Sequence, residues 1–149
     1  MRSFMVSTSP TLQLSSPADA FAAIALAAVA CDGELAALEA RRLRQQLEYR
    51  QPYCRYDDQA MATLLDRLLL ILREQGCEAL MGQAAPLLGP QQRETALAVA
   101  ADLTRADHVE TGAEHRFLID LAERLQIDAE RSAQILEVIA LLNGDSLAG

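Results

Sequence analysis

The sequence has no tryptophan and no lysine, only 4% of its residues are aromatic, and it contains just 7 glycines and 5 prolines. So few glycines and prolines argue against a loop-rich or disordered chain. The apolar half of the sequence is mostly alanine and leucine, which favour helices. A length of 149 residues suits one domain and suffices to bury about 70% of the unfolded surface. We therefore expect a single all-α domain.

The cysteines and the apolar runs exclude further classes of protein. The sequence has no Cys-x-x-Cys pair, and its three cysteines, Cys31, Cys54 and Cys77, are an odd number. This usage predicts reduced thiols, mostly small core residues, in a cytoplasmic protein, and it excludes a cysteine-rich zinc site. No export-signal core follows the first residues. The longest apolar run, residues 20–31, is shorter than the ~20 residues of a membrane-spanning helix.

The charge balance disfavours nucleic acid as a partner. Thirteen arginines oppose 21 acidic residues, so the net charge is −8, and a chain this acidic is repelled by phosphate backbones. The sequence also lacks a glycine-rich phosphate loop, a nucleophile elbow and a His-Glu-x-x-His pair. We therefore expect no enzyme activity. A thiol-based redox enzyme using Cys54, with Arg50 and Arg55 nearby, is the least favoured alternative.

Helical periodicity and turn signals predict about seven helices in one domain, residues 16–143. A flexible tail, residues 1–15, precedes this domain, and a frayed C-terminus, residues 144–149, follows it. Ser16-Pro17 predicts an N-cap followed by proline at the first helical position. The first helix is apolar around most of its circumference and is expected to be buried on several sides. The leucines expected to face inward include Leu38, Leu43, Leu47 and Leu142.

An internal repeat at an offset of 75 residues is the most informative pattern. Residues 20–47 can be laid over residues 95–122, so that Asp32 meets Asp107 and Glu39 meets Glu114. Each copy is an apolar helix, a turn opened by aspartate, and a second helix that begins near a glutamate. We expect a compact bundle in which the two helical hairpins pack about a pseudo-twofold axis. The turns of the two copies are called the first and second acidic turn.

The acidic turns have a structural interpretation and a functional one. Structurally, Thr111 and Glu114 match a capping box, and acids near a helix start interact with its dipole by about 0.3–1 kcal/mol. Ala36 stands where the second copy has Thr111, so Glu39 is not expected to form a reciprocal box. Functionally, two acidic turns supply the oxygen ligands that calcium or magnesium requires. Zinc is the second choice, because histidines lie in the second turn. The candidate ligands are Asp32, Glu39, Asp107 and Glu114, with Glu34 and His108 in addition.

The repeated turn resembles that of the tellurite-resistance protein B (TerB) family. Residues 30–39 read Ala-Cys-Asp-Gly-Glu-Leu-Ala-Ala-Leu-Glu, and residues 105–114 read Arg-Ala-Asp-His-Val-Glu-Thr-Gly-Ala-Glu. The family pattern is Ala-x-Asp-Gly-x-Leu-x-x-x-Glu after an alanine-rich helix. The resemblance covers residues 17–143. The second copy departs from the pattern at His108, where the family usually has glycine.

The resemblance implies a compact all-helical fold and a role in tellurite resistance or a wider stress response. It also implies that the acidic turns bind a divalent metal, and that the protein acts with partner proteins at the inner membrane surface. Carried over by position, the implied metal ligands are Asp32, Glu39, Asp107 and Glu114.

The longest run of positive charge lies on the second predicted helix, residues 37–50, and in the loop that follows it. Residues 41–55 contain five arginines against one glutamate, and Tyr49, Tyr53 and Tyr56 are interleaved with them; we call residues 41–56 the Arg–Tyr segment. As an alternative to metal binding, this segment docks an acidic protein or an anionic membrane surface. It also offers a route to a homodimer through the acidic region 94–137. The structural interpretation is a solvated helix face with tyrosines covering the edge of the core. The candidate docking residues are Arg50, Tyr53, Arg55 and Tyr56.

Overall fold

The computed structural model describes residues 12–104 and 112–147, and within these ranges the chain forms seven α-helices and no strand. This confirms the all-α class. The helices are α1 (Pro17–Ala30), α2 (Ala37–Leu47), α3 (Asp58–Gln75), α4 (Cys77–Ala84), α5 (Pro90–Thr104), α6 (Gly112–Arg124) and α7 (Ala129–Leu142). Two 3₁₀ turns lie at Tyr53–Arg55 and Ala85–Leu87. None of the described helices is both long and apolar enough to cross a membrane.

Helix α1 lies at the centre of the bundle, and its start agrees with the sequence. The Ser16 hydroxyl accepts a hydrogen bond from the Asp19 backbone N–H at 3.1 Å, and Pro17 occupies the first helical position. The helix contacts α2, α3, α4 and α5. The small alanine side chains let these neighbours approach its backbone closely. Most of its circumference is buried, while Phe21, Ala28 and Val29 are half-buried. The buried residues are Asp19, Ala20, Ala22, Ala23, Ile24, Ala25, Leu26, Ala27 and Ala30.

Asp19 is the one buried acid of α1, and it is fully paired. Its Oδ1 bonds the guanidinium of Arg67 on α3 at 2.5 Å. Its Oδ2 accepts from the backbone N–H and the hydroxyl of Ser15, both at 3.2 Å. A buried carboxylate without such partners would cost several kcal/mol. The pair therefore fixes the start of α1 against α3.

Residues 12–15 belong to the packed structure, so the predicted tail is too long at this end. Leu14 is buried, and its N–H donates to the Gln83 side chain at 3.1 Å. The Leu12 carbonyl accepts from the Gln75 side chain at 2.8 Å. Leu12 and Leu14 provide the apolar contact. The serines and threonines around them in the sequence favoured a flexible tail instead. Residues 1–11 lie outside the described ranges.

Helix α5 is the second central element, and it contacts α1, α2, α6 and α7. Asp102 on α5 accepts hydrogen bonds from Gln46 on α2 and, at 2.8 Å, from Asn143 just after α7. Helix α2 begins at Ala37 and α6 at Gly112, which is the repeat offset of 75 residues. The internal repeat itself stays a prediction, because residues 105–111, which include the second acidic turn, lie outside the described ranges.

Two leucines expected in the core are on the surface. Leu43 and Leu47 are buried as predicted, but Leu38 is 56% exposed and Leu142 is 72% exposed. At 3.6 residues per turn, Leu38 is rotated about 140° from Leu43, and Leu142 about 120° from the buried Leu136. Both leucines therefore fall on the outward side of helices whose inward face is already set.

The cysteine predictions are wrong for Cys31 and Cys77, which form a disulfide with a Cα–Cα distance of 5.4 Å. Cys31 follows the last residue of α1 and Cys77 is the first residue of α4, and these helices pack together. The third cysteine, Cys54, is free and exposed rather than a core residue. The number and spacing of cysteines carry no information about which helix ends meet, so the sequence could not reveal this pairing.

We expect reduction of the disulfide to destabilise the fold substantially. The bond closes a loop with a sequence separation of 46 residues, for which lost chain entropy in the unfolded state predicts about 4 kcal/mol. Chemical unfolding should show a loss of about 2–4 kcal/mol for the Cys31→Ser/Cys77→Ser double variant or after addition of dithiothreitol. Cys54→Ser is the control and should unfold as the wild type does. Equal stability with and without dithiothreitol would contradict the stabilising role.

Candidate functional site

The first acidic turn connects α1 to α2 and is shaped by its own backbone. Gly33 has a φ of +88°, the left-handed region that glycine adopts without strain. The Asp32 side chain accepts a hydrogen bond from the Glu34 N–H at 3.0 Å, which closes the turn. On α3, Arg73 donates from Nε to the Gly33 carbonyl at 2.9 Å. The turn therefore presents Asp32 in a defined position on the surface.

Glu39 caps α2 although the reciprocal capping box is absent, as the alanine at position 36 predicts. Its Oε1 accepts a hydrogen bond from the Ala36 N–H at 3.2 Å. The serine or threonine half is absent because Ala36 has no hydroxyl. The glutamate needs only a backbone N–H as its partner, so it caps α2 without that half. Capping thus accounts for one oxygen of Glu39, just as the turn accounts for one oxygen of Asp32.

The three acids of the first acidic turn share one surface pocket of about 220 Å³. Asp32, Glu34 and Glu39 line it together with Val29, Leu35 and Ala36. In residues 12–104 and 112–147, however, no three His, Cys, Asp or Glu side chains come close enough to hold a metal ion together. The pocket therefore offers carboxylate oxygens without a preformed ligand set in the part of the chain that the structure covers.

The second acidic turn falls largely outside the described residues. This applies to Asp107 and His108, two of the candidate metal ligands. Glu114 lies in the first turn of α6 and is half-buried. The expected juxtaposition of the two acidic turns stays a prediction.

Tyr53 is a core residue, so its prediction as a docking residue is wrong. Its side chain is 2% exposed, and its hydroxyl donates to the carbonyl of Ala18 on α1. The ring meets Tyr56 edge-on, with centroids 5.7 Å apart. Burial raises the pKa of the Tyr53 phenol above its ordinary value of 10.0, and the neighbouring Tyr56 raises it further. Because arginines stand on either side of Tyr53 in the sequence, the pattern did not indicate its burial. Tyr53 holds the Arg–Tyr segment against α1.

Arg50 is also held in place rather than projecting from the surface. Its Nε donates to the Gln46 carbonyl at 2.8 Å, and its guanidinium lies 5.6 Å from the centroid of the Phe21 ring. A cation at this distance from an aromatic face is attracted by about 0.5–1 kcal/mol. No other bond to the described residues uses the two terminal nitrogens of Arg50. Its guanidinium is therefore fixed in orientation and able to donate further.

The outward part of the Arg–Tyr segment carries positive charge that the described residues leave unpaired. Arg41 and Arg55 are exposed and Arg42 is half-buried, and none of them forms an ion pair in the described ranges. Arg44 differs, since it bonds Asp58 at the start of α3 at 2.6 Å. We call Arg41, Arg42 and Arg55, with the 84% exposed Tyr49 and the half-buried Tyr56, the basic face.

A second pocket, of about 410 Å³, lies beside Arg50, and sequence reasoning missed it. We call it the Arg50 pocket. Its residues come from the start of α1, from the turn before α3 and from the start of α5: Pro17, Ala18, Phe21, Arg50, Gln51, Pro52, Tyr53, Leu88, Gln91, Gln92 and Thr95. No aspartate or glutamate is among them. Because three separated segments form this pocket, no local sequence motif predicts it.

No protein-family model, curated protein or solved structure matches this chain. The comparisons therefore add nothing for or against the resemblance to the TerB family.

We expect Tyr53→Phe to cost about 1 kcal/mol at neutral pH, because the Ala18 carbonyl loses its donor. The cost should shrink at alkaline pH. The raised pKa favours the neutral phenol in the folded state, so this contribution is fully present below the unfolded pKa near 10. Above that pH the unfolded phenol ionises while the folded one does not, and stability falls by up to about 1.4 kcal/mol per pH unit. The chain has no lysine to titrate in this range.

Urea unfolding at pH 8 and pH 11 measures the effect. The gap between wild type and Tyr53→Phe should narrow by roughly 1 kcal/mol between the two pH values. Tyr49→Phe, at an exposed position, is the matched control and should track the wild type. A gap of constant size would show that the Tyr53 pKa is the same in the folded and unfolded states.

Proposed function

We propose that this chain is a non-enzymatic helical binding protein that docks an acidic partner protein through the basic face. The observation that carries the proposal is the unpaired state of Arg41, Arg42 and Arg55 within the described ranges of a chain whose net charge is −8. Other arginines of the chain, such as Arg67, Arg124 and Arg131, bond acids within the same chain. The basic face is thus locally opposite in sign to the molecule as a whole.

The unpaired positive charge of the basic face favours recognition of an acidic surface on a partner. Complementary potentials raise the rate of encounter and select partners more than they add raw affinity. Arginine is well suited because its guanidinium meets a carboxylate through two parallel hydrogen bonds. Exposed Tyr49 adds an aromatic side chain of the type that interfaces favour. We therefore expect binding that weakens as salt rises.

The basic face is held rigidly from beneath. Tyr53 ties the segment to the Ala18 carbonyl, and Arg44 ties α2 to Asp58. A surface that is ordered before binding loses less conformational entropy when the partner arrives. The scaffold therefore supports docking without a folding step.

The resemblance to the TerB family extends this proposal to its biology. On this resemblance we propose a role in tellurite resistance or a related stress response, with partner proteins at the inner membrane surface. The Cys31–Cys77 disulfide removes the argument from reduced thiols for a cytoplasmic location. An anionic membrane is the alternative target of the basic face. A second copy of the chain is another, through the acidic region 94–137.

Reversing charge on the basic face should abolish docking without unfolding the protein. We expect Arg41→Glu/Arg55→Glu to lose the partner that wild type retains on affinity capture, while the melting temperature changes little, because both residues are exposed. Arg116→Glu on α6, also exposed, is the matched control for the single variants Arg41→Glu and Arg55→Glu, since each of the three replaces one positive charge by one negative charge, and it should retain the partner. The measurement is quantitative mass spectrometry of captured proteins at low and at high salt.

The outcomes separate the possible targets. Recovery of the same partner by the double variant would contradict docking through the basic face. Binding to phosphatidylglycerol vesicles, lost in the double variant with no protein partner captured, would replace the protein target by a membrane. Dimer dissociation in the double variant would identify a second copy as the target.

The first acidic turn supports a second candidate function, the binding of a divalent cation. The specific observation is that Asp32, Glu34 and Glu39 line one pocket. Carboxylate oxygens are the ligands that calcium and magnesium prefer. Asp107 and His108 of the second acidic turn are the candidates to complete the set. Calcium or magnesium is the first choice and zinc the second.

We expect the fitting cation to stabilise the folded protein, by about 1.4 kcal/mol when its concentration is tenfold above the dissociation constant. Asp32→Asn/Glu39→Gln should abolish this shift. The amide oxygens of both variants still accept from Glu34 and Ala36, so the turn and the cap persist while the charge is lost. Thermal unfolding with millimolar calcium, magnesium, manganese or zinc measures the effect. Melting curves unchanged by all four ions would leave capping as the role of these acids.

A further inference from the structure

The Arg50 pocket combines one fixed cation with apolar walls and no acid. Phe21 comes from α1, Leu88 from the turn before α5 and Pro52 from the turn before α3. Its volume of about 410 Å³ falls within the range of small-molecule sites, roughly 300–1,000 Å³. The pocket therefore has the composition of a ligand site, in which few polar groups fix the orientation of an apolar body.

The charge of the pocket indicates the charge of its ligand. None of the aspartates and glutamates in residues 12–104 and 112–147 lines the pocket, whereas Arg50 does. The Asp19 carboxylate, near the start of α1, is already neutralised by Arg67 at 2.5 Å. The guanidinium is thus left without a counter-ion among the residues that line the pocket. An anionic group on the ligand would supply one.

The bonding of Arg50 favours an anion with two oxygens, and the lack of a second cation favours a single negative charge, as a carboxylate has. The Nε of Arg50 is used by the Gln46 carbonyl at 2.8 Å and its guanidinium carbon lies 5.6 Å from the Phe21 ring centroid, so the two terminal nitrogens remain for a further partner. Two N–H groups from one guanidinium match the two oxygens of one carboxylate. A phosphate carries more charge than this single arginine offsets. Among the described residues that line the pocket, none is a second cation for it.

We propose that the Arg50 pocket binds a compact apolar monocarboxylate, with the carboxylate on the guanidinium of Arg50 and the hydrocarbon body between Phe21 and Leu88. The side-chain amides of Gln51 and Gln91 provide polar groups at the same pocket for a substituent on the ligand. This site is distinct from the basic face, because Arg41 and Arg55 do not line it.

Isothermal titration calorimetry at pH 7 with 3-phenylpropionate tests the charge requirement. The neutral isostere 3-phenylpropanamide is the matched probe. We expect the carboxylate to bind at least tenfold more tightly than the amide. Equal affinity for the two probes would overturn the proposal, and so would inorganic phosphate that competes as well as the carboxylate does.

Two variants locate the site. Arg50→Gln should weaken 3-phenylpropionate binding at least tenfold, whereas Arg55→Gln, which removes a nearby exposed guanidinium, should leave it unchanged. Gln91→Trp places a bulky ring in the pocket from an exposed position on α5 and leaves the bonds of Arg50 intact, so it should also abolish binding. If Arg50→Gln disturbs folding because the bond to Gln46 is lost, Gln91→Trp still tests whether the carboxylate binds in the Arg50 pocket.

The result that would overturn the location is wild-type affinity in Gln91→Trp. The Arg41→Glu/Arg55→Glu variant separates this inference from the proposed docking function. It should lose the acidic partner and still bind the carboxylate, so either proposal can fail without the other.

Discussion

The rest of the structure depends on one constraint, the burial of helix α1 among the four helices that contact it. A helix that four others contact must have small side chains, because bulky ones would hold the neighbours apart. Alanine fills most of this role and adds the strongest helix propensity. The constraint leaves little room for polar groups, and the exception, Asp19, is satisfied by Arg67 and Ser15. The functional features, the Arg50 pocket and the first acidic turn, lie at the two ends of this helix.

Much of the fold could be predicted because its signals are local. Ser16-Pro17 marks the start of α1, Asp57 caps α3 through the Ala60 N–H, and Gly76 separates α3 from α4. Each of these acts within a few residues. What failed depends on contacts between distant segments. The Cys31–Cys77 disulfide can be predicted only when it is known which helix ends meet. The burial of Tyr53 can be predicted only when it is known that Ala18 lies beside it. Leu38 is exposed although it is apolar, because Leu43 and Leu47 determine which face of α2 is turned towards the core.

The candidate site was predictable in part, for a related reason. The acids of the first acidic turn were identified from their pattern, but a pattern does not distinguish an acid that caps from one that coordinates. The structure shows that Asp32 and Glu39 each satisfy a backbone N–H and still line a common pocket. The arginines were also identified, but their roles divide. Arg50 is fixed beside Phe21, while Arg41 and Arg55 remain on the surface.

The disulfide has a topological consequence for the basic face. Residues 31–77 form a covalent ring, and this ring contains all of α2, all of α3 and the whole Arg–Tyr segment. Every arginine of the basic face is therefore a member of a closed macrocycle rather than of an open strand. A single backbone cut inside the ring leaves the two fragments joined through sulfur. The basic face can thus stay covalently attached to the molecule after a nick that would divide a linear chain into two separate pieces.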